Sequence, residues 1–356
     1  MNPIDLRSDT VTRPTPEMRR AMYEAELGDD GLEGDPTTMR LQEMAAELMG
    51  SEAAMLVASG SMGNLVSALA HCAPGEAMIV GQTSHMMWSA GQAETHPTYG
   101  QIEIRPLPED AGKLSSRDIE LAITAEGEAG GRVGLVCAEN SHNEAYGAAL
   151  DHSHLHSIGT TARDRGAPLH IDGARIFNAA VALGLPSSTL VAPADSVTFC
   201  LSKGLACPIG SMVCGSKEFI ARARNRRKIV GGEMRQTGTV SAAGIVALQT
   251  MVDRMAEDHA NARRLAEGLA QIEGVQIEVE RVQTNIVYFT PTDRPAKEVE
   301  RSLGEPGVRC LALDGRVRMV THYHVGPADI DDTLRAVQRT MRSKATTAPL
   351  SGAPES

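Results

Sequence analysis

Four polar sites in this chain each follow an apolar run. Gly60 and Ser61 come after "MLVAS", His85 after "MIVGQTS", Asp172 after "PLHI" and Lys203 after "TFCLS". In an open α/β sheet, ligands bind beyond the carboxyl ends of the strands, so residues in these positions would share one edge. A lysine amine can form a Schiff base with a ligand carbonyl. An aspartate facing a pyridine nitrogen keeps that nitrogen protonated, so that electrons flow into the ring. Lys203 and Asp172 together are therefore the apparatus of pyridoxal 5'-phosphate (PLP) chemistry. The small-residue turn in "ASGSMGNLVSALA" offers backbone N–H donors at a helix start for the phosphate, and the imidazole of His85 suits stacking on the pyridine face. Arg175 and Arg318 are candidates for a two-point grip on a substrate carboxylate.

The surrounding elements must deliver these groups to one place. "AAMLVASG", "EAMIVGQ", "RVGLVCAEN", "APLHIDGA" and "SVTFCLSKG" read as strands separated by helical stretches, a β/α alternation that predicts a mainly parallel sheet with helices on both faces. "TTMRLQEMAAELMG" has helical periodicity and stops at Gly50. From about Thr250 the pattern changes. A long helix, "MVDRMAEDHANARRLAEGLAQIEG", leads to the strands "VQIEVE", "TNIVYFT" and "VRMVTHYH" and a last helix, "ADIDDTLRAVQRTMRS". The expected organisation is an extended segment over 1–15, a large α/β domain over 16–249, a smaller α+β domain over 250–343 and a disordered tail over 344–356.

Composition excludes several classes of function. A net charge of −11 argues against general affinity for nucleic acid or anionic membranes. The basic run "RARNRRK" therefore reads as a subunit contact or solvated face. Six cysteines without a CxxC pair, and no signal-like or bilayer-length apolar run, point to a cytoplasmic protein. "GDDGLEGDPTT" fails the calcium-loop pattern because Gly31 and Arg40 stand where ligands belong. The histidines of "DHSHLHS" are read as a helix surface, and no metal site is expected. "SGSMGN" is not the GxGxxG of a dinucleotide-binding turn.

The motifs "IDLRSDTVTRPT", "GDPT", "ENSHN", "HIDGARIFNA", "LSKGLACPIGS", "GGEMRQTG", "QTNIVYF" and "VRMVTH" jointly resemble the L-threonine aldolase family of PLP enzymes. The resemblance implies the PLP-dependent transferase fold type I, an α/β fold whose large domain is built on a mainly parallel seven-stranded sheet, with a smaller C-terminal α+β domain. It implies that Lys203 is the Schiff-base lysine, Asp172 the partner of the pyridine nitrogen, His85 the stacking histidine and Gly60-Ser61 the phosphate turn. Arg235 is implied as a further phosphate or interface contact. Ser8, Arg175 and Arg318 are implied as the carboxylate-binding set, and His142 as the family's motif histidine and first choice of base, with His85 second. The implied reaction is reversible cleavage of threonine or another β-hydroxy-α-amino acid to glycine and an aldehyde, in a homotetramer with active sites between subunits. The alternatives are another PLP reaction, such as β-elimination, transaldolation, transamination or racemisation, or a non-catalytic protein of the same fold. Departures from the family pattern stand at Leu32, at Trp88 and Ser89, in "EAYGAAL" around Tyr146, and at Glu233. They surround the expected substrate end and leave the side-chain preference open.

Overall fold

The structure is a computed structural model that describes residues 3–87 and 102–343. Trp88, Ser89 and the expected disordered tail lie outside the described residues. In chain order the strands are β1 (Ile4–Asp5), β2 (Ala53–Val57), β3 (Ala77–Gly81), β4 (Glu103–Leu107), β5 (Glu109–Asp110), β6 (Lys113–Leu114), β7 (Val133–Glu139), β8 (Leu169–Asp172), β9 (Ser196–Cys200) and β10 (Ser211–Gly215). β11 (Val275–Gln276), β12 (Ile286–Pro291), β13 (Val308–Arg309), β14 (Leu311–Leu313) and β15 (Arg316–Val320) follow. The first three helices are α1 (Pro16–Glu24), α2 (Pro36–Met49) and α3 (Gly60–His71).

Seven strands form one sheet in the order β2-β10-β9-β8-β7-β3-β4. β10 runs antiparallel to both its neighbours, while the pairs β9-β8, β8-β7, β7-β3 and β3-β4 are parallel. The fully buried β3, β7, β8, β9 and β10 explain the unbroken apolar runs of the sequence, since a strand covered on both faces has no polar side to show. Two sheet members fell outside the expected strands: β4, whose Pro106 is tolerated because the strand lies at the edge, and β10. Helix ends follow local chemistry. Asp35 caps α2 by accepting from the Thr38 N–H, and Gly50 closes it at φ 62°, the left-handed conformation that glycine adopts without cost.

The C-terminal layer holds the four-stranded sheet β11-β12-β15-β14 around its own apolar core of Leu265, Leu269, Phe289, Val317 and Met319. A helix over Gly238–Thr250 precedes the long helix expected from Met251 onward, which runs over Met255–Leu269. The first packs against α1 and α2 over the large sheet, and the second turns Leu265 and Leu269 into the C-terminal core. One straight rod could not face both. "VQIEVE" pairs only over Val275–Gln276 before a 3-10 turn at Val279–Arg281 takes over. The extended N-terminal segment is tied to this layer as well. β1 pairs in parallel with β13, and Leu6 is fully buried in the C-terminal core. Among the described residues, no helix is long and apolar enough to cross a membrane.

Candidate active site

β3, β8 and β9 point the same way, so His85, Asp172 and Lys203 leave the sheet at one edge, where α3 also begins. Asp172 ends β8 and is almost wholly buried. Its Oδ2 accepts from Asn64 Nδ2 at 2.7 Å, and its Oδ1 accepts from the Ala174 N–H at 3.1 Å. Lys203 sits in the turn after β9, and its carbonyl accepts from the Thr12 hydroxyl at 2.8 Å, which ties the lysine turn to the N-terminal segment.

Gly60 and Ser61 open α3, where first-turn N–H groups have no acceptor within the helix. A Cβ on Gly60 would come within 2.7 Å of Cys200 Sγ and 3.7 Å of Ser211 Oγ, so only glycine leaves this corner open. The buried hydroxyl of Ser211 has no hydrogen-bond partner. An anion at the α3 N-terminus would satisfy these donors, and the residues present therefore fit the phosphate of PLP.

The carboxylate-binding set is arranged unequally. Arg175 donates to buried Asp9 from Nε at 2.8 Å and from Nη2 at 2.7 Å, leaving Nη1 to reach Asn143 Oδ1 at 3.3 Å. Burial alone would raise the Asp9 pKa, but the charges of Arg175, Lys203 and Arg318 outweigh it and hold this carboxyl well below the usual range. Arg318 donates to the Arg7 carbonyl and to Asn143 Oδ1, while its buried Nε has no partner. Ser8 lies beside Asp9, where it caps a short 3-10 turn by accepting from the Thr10 N–H.

His142 is fully buried. Its Nδ1 accepts from the Ala145 N–H at 3.2 Å, and its Nε2 meets Glu109 Oε1 at 3.0 Å. Burial opposes charging this ring, yet Glu139, Glu109 and Glu144 outweigh it and raise its pKa above the ordinary histidine value. Both nitrogens are turned to the protein, so neither protonation state leaves a lone pair for substrate. Arg235 is more than half exposed and faces Glu233 in its own segment and Asp29 on the loop that carries Leu32. Hydrogen bonds and sheet order thus link Asp172 to α3, and Arg175 to Arg318 through Asn143, while Arg235 lines a pocket with Ala58 and Gly210 just before the Gly60 turn.

Several residues of the site escaped the sequence reading. Glu139 accepts from the backbone N–H groups of His85, at 2.6 Å, and of Asn143, at 2.8 Å, so one carboxylate fixes two loops. Glu109 accepts from the N–H and hydroxyl of Thr83 at 2.8 and 2.7 Å while holding His142. Asp9 and Asn143 gather the two arginines. The sequence signal was the presence of acidic or amide residues within motifs already singled out, "RSDT" and "ENSHN", but their partners lie far away in the chain. Beside His85 opens a cavity of 940 Å³ lined by Glu109, Asn143, Glu144, Arg281, Leu313 and Arg316 among others. Next in sequence to Ala145 of that lining, Tyr146, at φ 63°, packs on Tyr288, and Arg281 lies 4.0 Å over the Tyr146 ring.

The fold is that of the PLP-dependent fold type I enzymes among its structural neighbours. The structure of Leishmania major threonine aldolase superposes with a TM-score of 0.80 at 18% identity, covering 95% of this chain and 100% of that one. The beta-eliminating lyase family matches residues 5–292. A probable low-specificity L-threonine aldolase 2 of Arabidopsis thaliana is 42% identical, covering 96% of this chain and 98% of that protein. The low specificity L-threonine aldolase of Escherichia coli is 41% identical, covering 90% and 94%. The chain belongs to the beta-eliminating lyase family and, within it, to the low-specificity L-threonine aldolases.

Proposed function

We propose that the protein is a PLP-dependent aldehyde-lyase that reversibly cleaves L-threonine, L-allo-threonine or a related β-hydroxy-α-amino acid such as phenylserine to glycine and an aldehyde. The observation that carries this reading is the convergence of Lys203, Asp172 and the α3 N-terminus on one sheet edge, in a chain whose relatives bear the name low-specificity L-threonine aldolase. Lys203, Asp172, His85 and the Gly60-Ser61 turn, with Ser211 beside it, would hold the cofactor. When bound, PLP supplies a conjugated ring that accepts the electron pair of the breaking Cα–Cβ bond.

The chain's own residues supply the rest. Arg318 takes the substrate carboxylate through its unpartnered Nε edge, with Ser8 nearby and Arg175 held ready by Asp9. Fixing that carboxylate limits rotation about Cα and sets which bond faces the ring. His85 takes the proton of the β-hydroxyl, because His142 has no lone pair free to do so. Glu139 holds the His85 backbone at the required height. The cavity beside His85 receives the aldehyde portion, and its mixed lining of Leu313, Glu144 and Arg316 suits more than one side chain.

We also infer a homotetramer with cytoplasmic placement. Tyr23, Leu27 and Leu32 are exposed on and after α1, close in sequence to the loop that meets Arg235, which supports burial of this face by a second copy. The six cysteines are all unpaired and buried, in keeping with a reducing compartment.

Incubation of the PLP-loaded protein with threonine, allo-threonine and phenylserine tests the reaction. Glycine and the matching aldehyde in equal amounts are expected. Ammonia and a keto acid without glycine would instead establish β-elimination, the reading that the family description beta-eliminating lyase keeps second.

A further inference from the structure

A row of buried polar groups runs from Asp172 away from the cleft, between α3 and the large sheet. On α3, Asn64 and His71 are seven residues apart and share the face turned to the sheet. On β8, His170 and Asp172 are two apart and share one face of the strand, and His170 lies in register with Ser196 of β9. These positions join in sequence. Asn64 Nδ2 meets Asp172 Oδ2 at 2.7 Å, Asn64 Oδ1 meets His170 Nε2 at 3.2 Å, His170 Nδ1 meets Ser196 Oγ at 2.8 Å, and Ser196 Oγ meets His71 Nε2 at 2.8 Å. His71 stacks on Phe219, with ring centroids 4.5 Å apart. It lines a 510 Å³ cavity at the opposite edge of the sheet from the cleft.

The chain of contacts admits a single direction. A carboxylate can only accept, so Asn64 gives its amide hydrogen to Asp172 and turns its oxygen to His170. His170 must then carry its proton on Nε2, which leaves Nδ1 to accept from the Ser196 hydroxyl. Ser196 has no second hydrogen, so His71 must donate from Nε2. Every donor points toward Asp172. Burial lowers the pKa of His170 to about 4 and that of His71 to about 3, so both rings are neutral, as a one-way relay requires.

We propose that Asn64, His170, Ser196 and His71 are positioning residues that orient Asp172 and reinforce its negative charge, so that Asp172 holds a proton on the cofactor's ring nitrogen. Aligned hydrogen bonds polarise one another, and a neutral relay delivers this effect without burying a second charge. The proposal rests on the PLP reading above for its purpose, but the direction of the relay is a property of the protein without cofactor.

Two measurements separate these layers. In cofactor-free protein, nitrogen NMR of the imidazoles should show both His71 and His170 neutral with the proton on Nε2. A proton on Nδ1 of His170 would overturn the proposal. In PLP-loaded protein, Ser196→Ala removes the two outer links. It should shift the ring-nitrogen resonance of isotope-labelled cofactor toward the unprotonated form and lower kcat about fivefold with KM changed less than about twofold. An unchanged ring-nitrogen resonance would sink the relay.

The outermost link provides a control against simple loss of folding. His71→Gln retains an amide donor to Ser196 and should keep the wild-type resonance, whereas His71→Ala should shift it. Equal behaviour of the two would overturn the role given to His71. If labelled PLP gives no bound ring-nitrogen signal in the wild type, the PLP reading fails, and the imidazole protonation states still decide the relay.

Discussion

The two sides of the cleft are built differently. On the cofactor side, Asp172, Lys203 and the α3 N-terminus follow strands of one sheet, each placed by its own few preceding residues. On the substrate side, Arg175, Arg318, Asn143, Asp9 and Glu139 come from the N-terminal segment, the end of β7 and the loop after it, the turn after β8 and strand β15, held together by buried charge. The cofactor side inherits its geometry from backbone hydrogen bonding, which is regular and tolerant of side-chain change. The substrate side depends on a few side-chain contacts between distant segments, so a single substitution there should disturb both binding and stability.

The largest expected effect is on the cofactor side. Lys203→Ala should reduce turnover by on the order of 10⁴-fold and abolish the imine absorbance of bound cofactor, while leaving thermal stability near wild type. A large loss of stability would show that the cofactor side is not independent of its side chains, and would break the comparison.

Asp9→Asn probes the substrate side with the opposite signature. It leaves Arg175 buried without its carboxylate and should destabilise the fold by about 3–5 kcal/mol, read from the denaturant midpoint. The pH dependence follows from the same pair. The folded-state pKa of Asp9 is depressed, so its stabilising contribution is complete above the unfolded carboxylate pKa and is lost as pH falls toward the folded value. Wild type should therefore weaken more steeply than Asp9→Asn between about pH 5 and the acid limit.

Arg318→Lys sharpens the comparison within one element. Replacing a planar fork by a point charge should raise KM for the amino acid about tenfold with little change in cofactor absorbance. A matching loss of cofactor binding would place Arg318 on the wrong side of the cleft. Glu139→Gln should have the smallest effect of the four. An amide can accept one of the two N–H donors of His85 and Asn143 but opposes the other, so kcat should fall about threefold with the midpoint lowered by about 1–2 kcal/mol. Unchanged kinetics would show that the two loops hold their places without this carboxylate.

The same difference decided what could be read in advance. Strand-end residues announced themselves because an apolar run followed by a single lysine or aspartate is a local pattern. The relay behind Asp172 did not, although His170 within "PLHID" and the polar positions on the inner face of α3 were visible. Nothing local says that Asn64, seven residues before His71, meets a strand more than a hundred residues onward. The pairing of His142 was hidden for the same reason: Glu109 comes within reach of its Nε2 only when the β5-β6 hairpin and the loop after β7 fold together. Likewise the helix expected from Met251 begins only at Met255, after a separate helix over Gly238–Thr250 that packs into the other core.

By itself, the sequence determined the alternation of buried strands and helices, the positions of Lys203 and Asp172 at strand ends, and the shared edge on which they stand. Those properties are periodic or local, written in residues a few positions apart. Tertiary structure alone decided which arginine is held by a buried carboxylate, that both nitrogens of His142 face protein partners, and which way the hydrogen bonds behind Asp172 run. Each of these depends on where a buried polar group finds its partner, and burial makes that partner obligatory without saying where in the chain it lies.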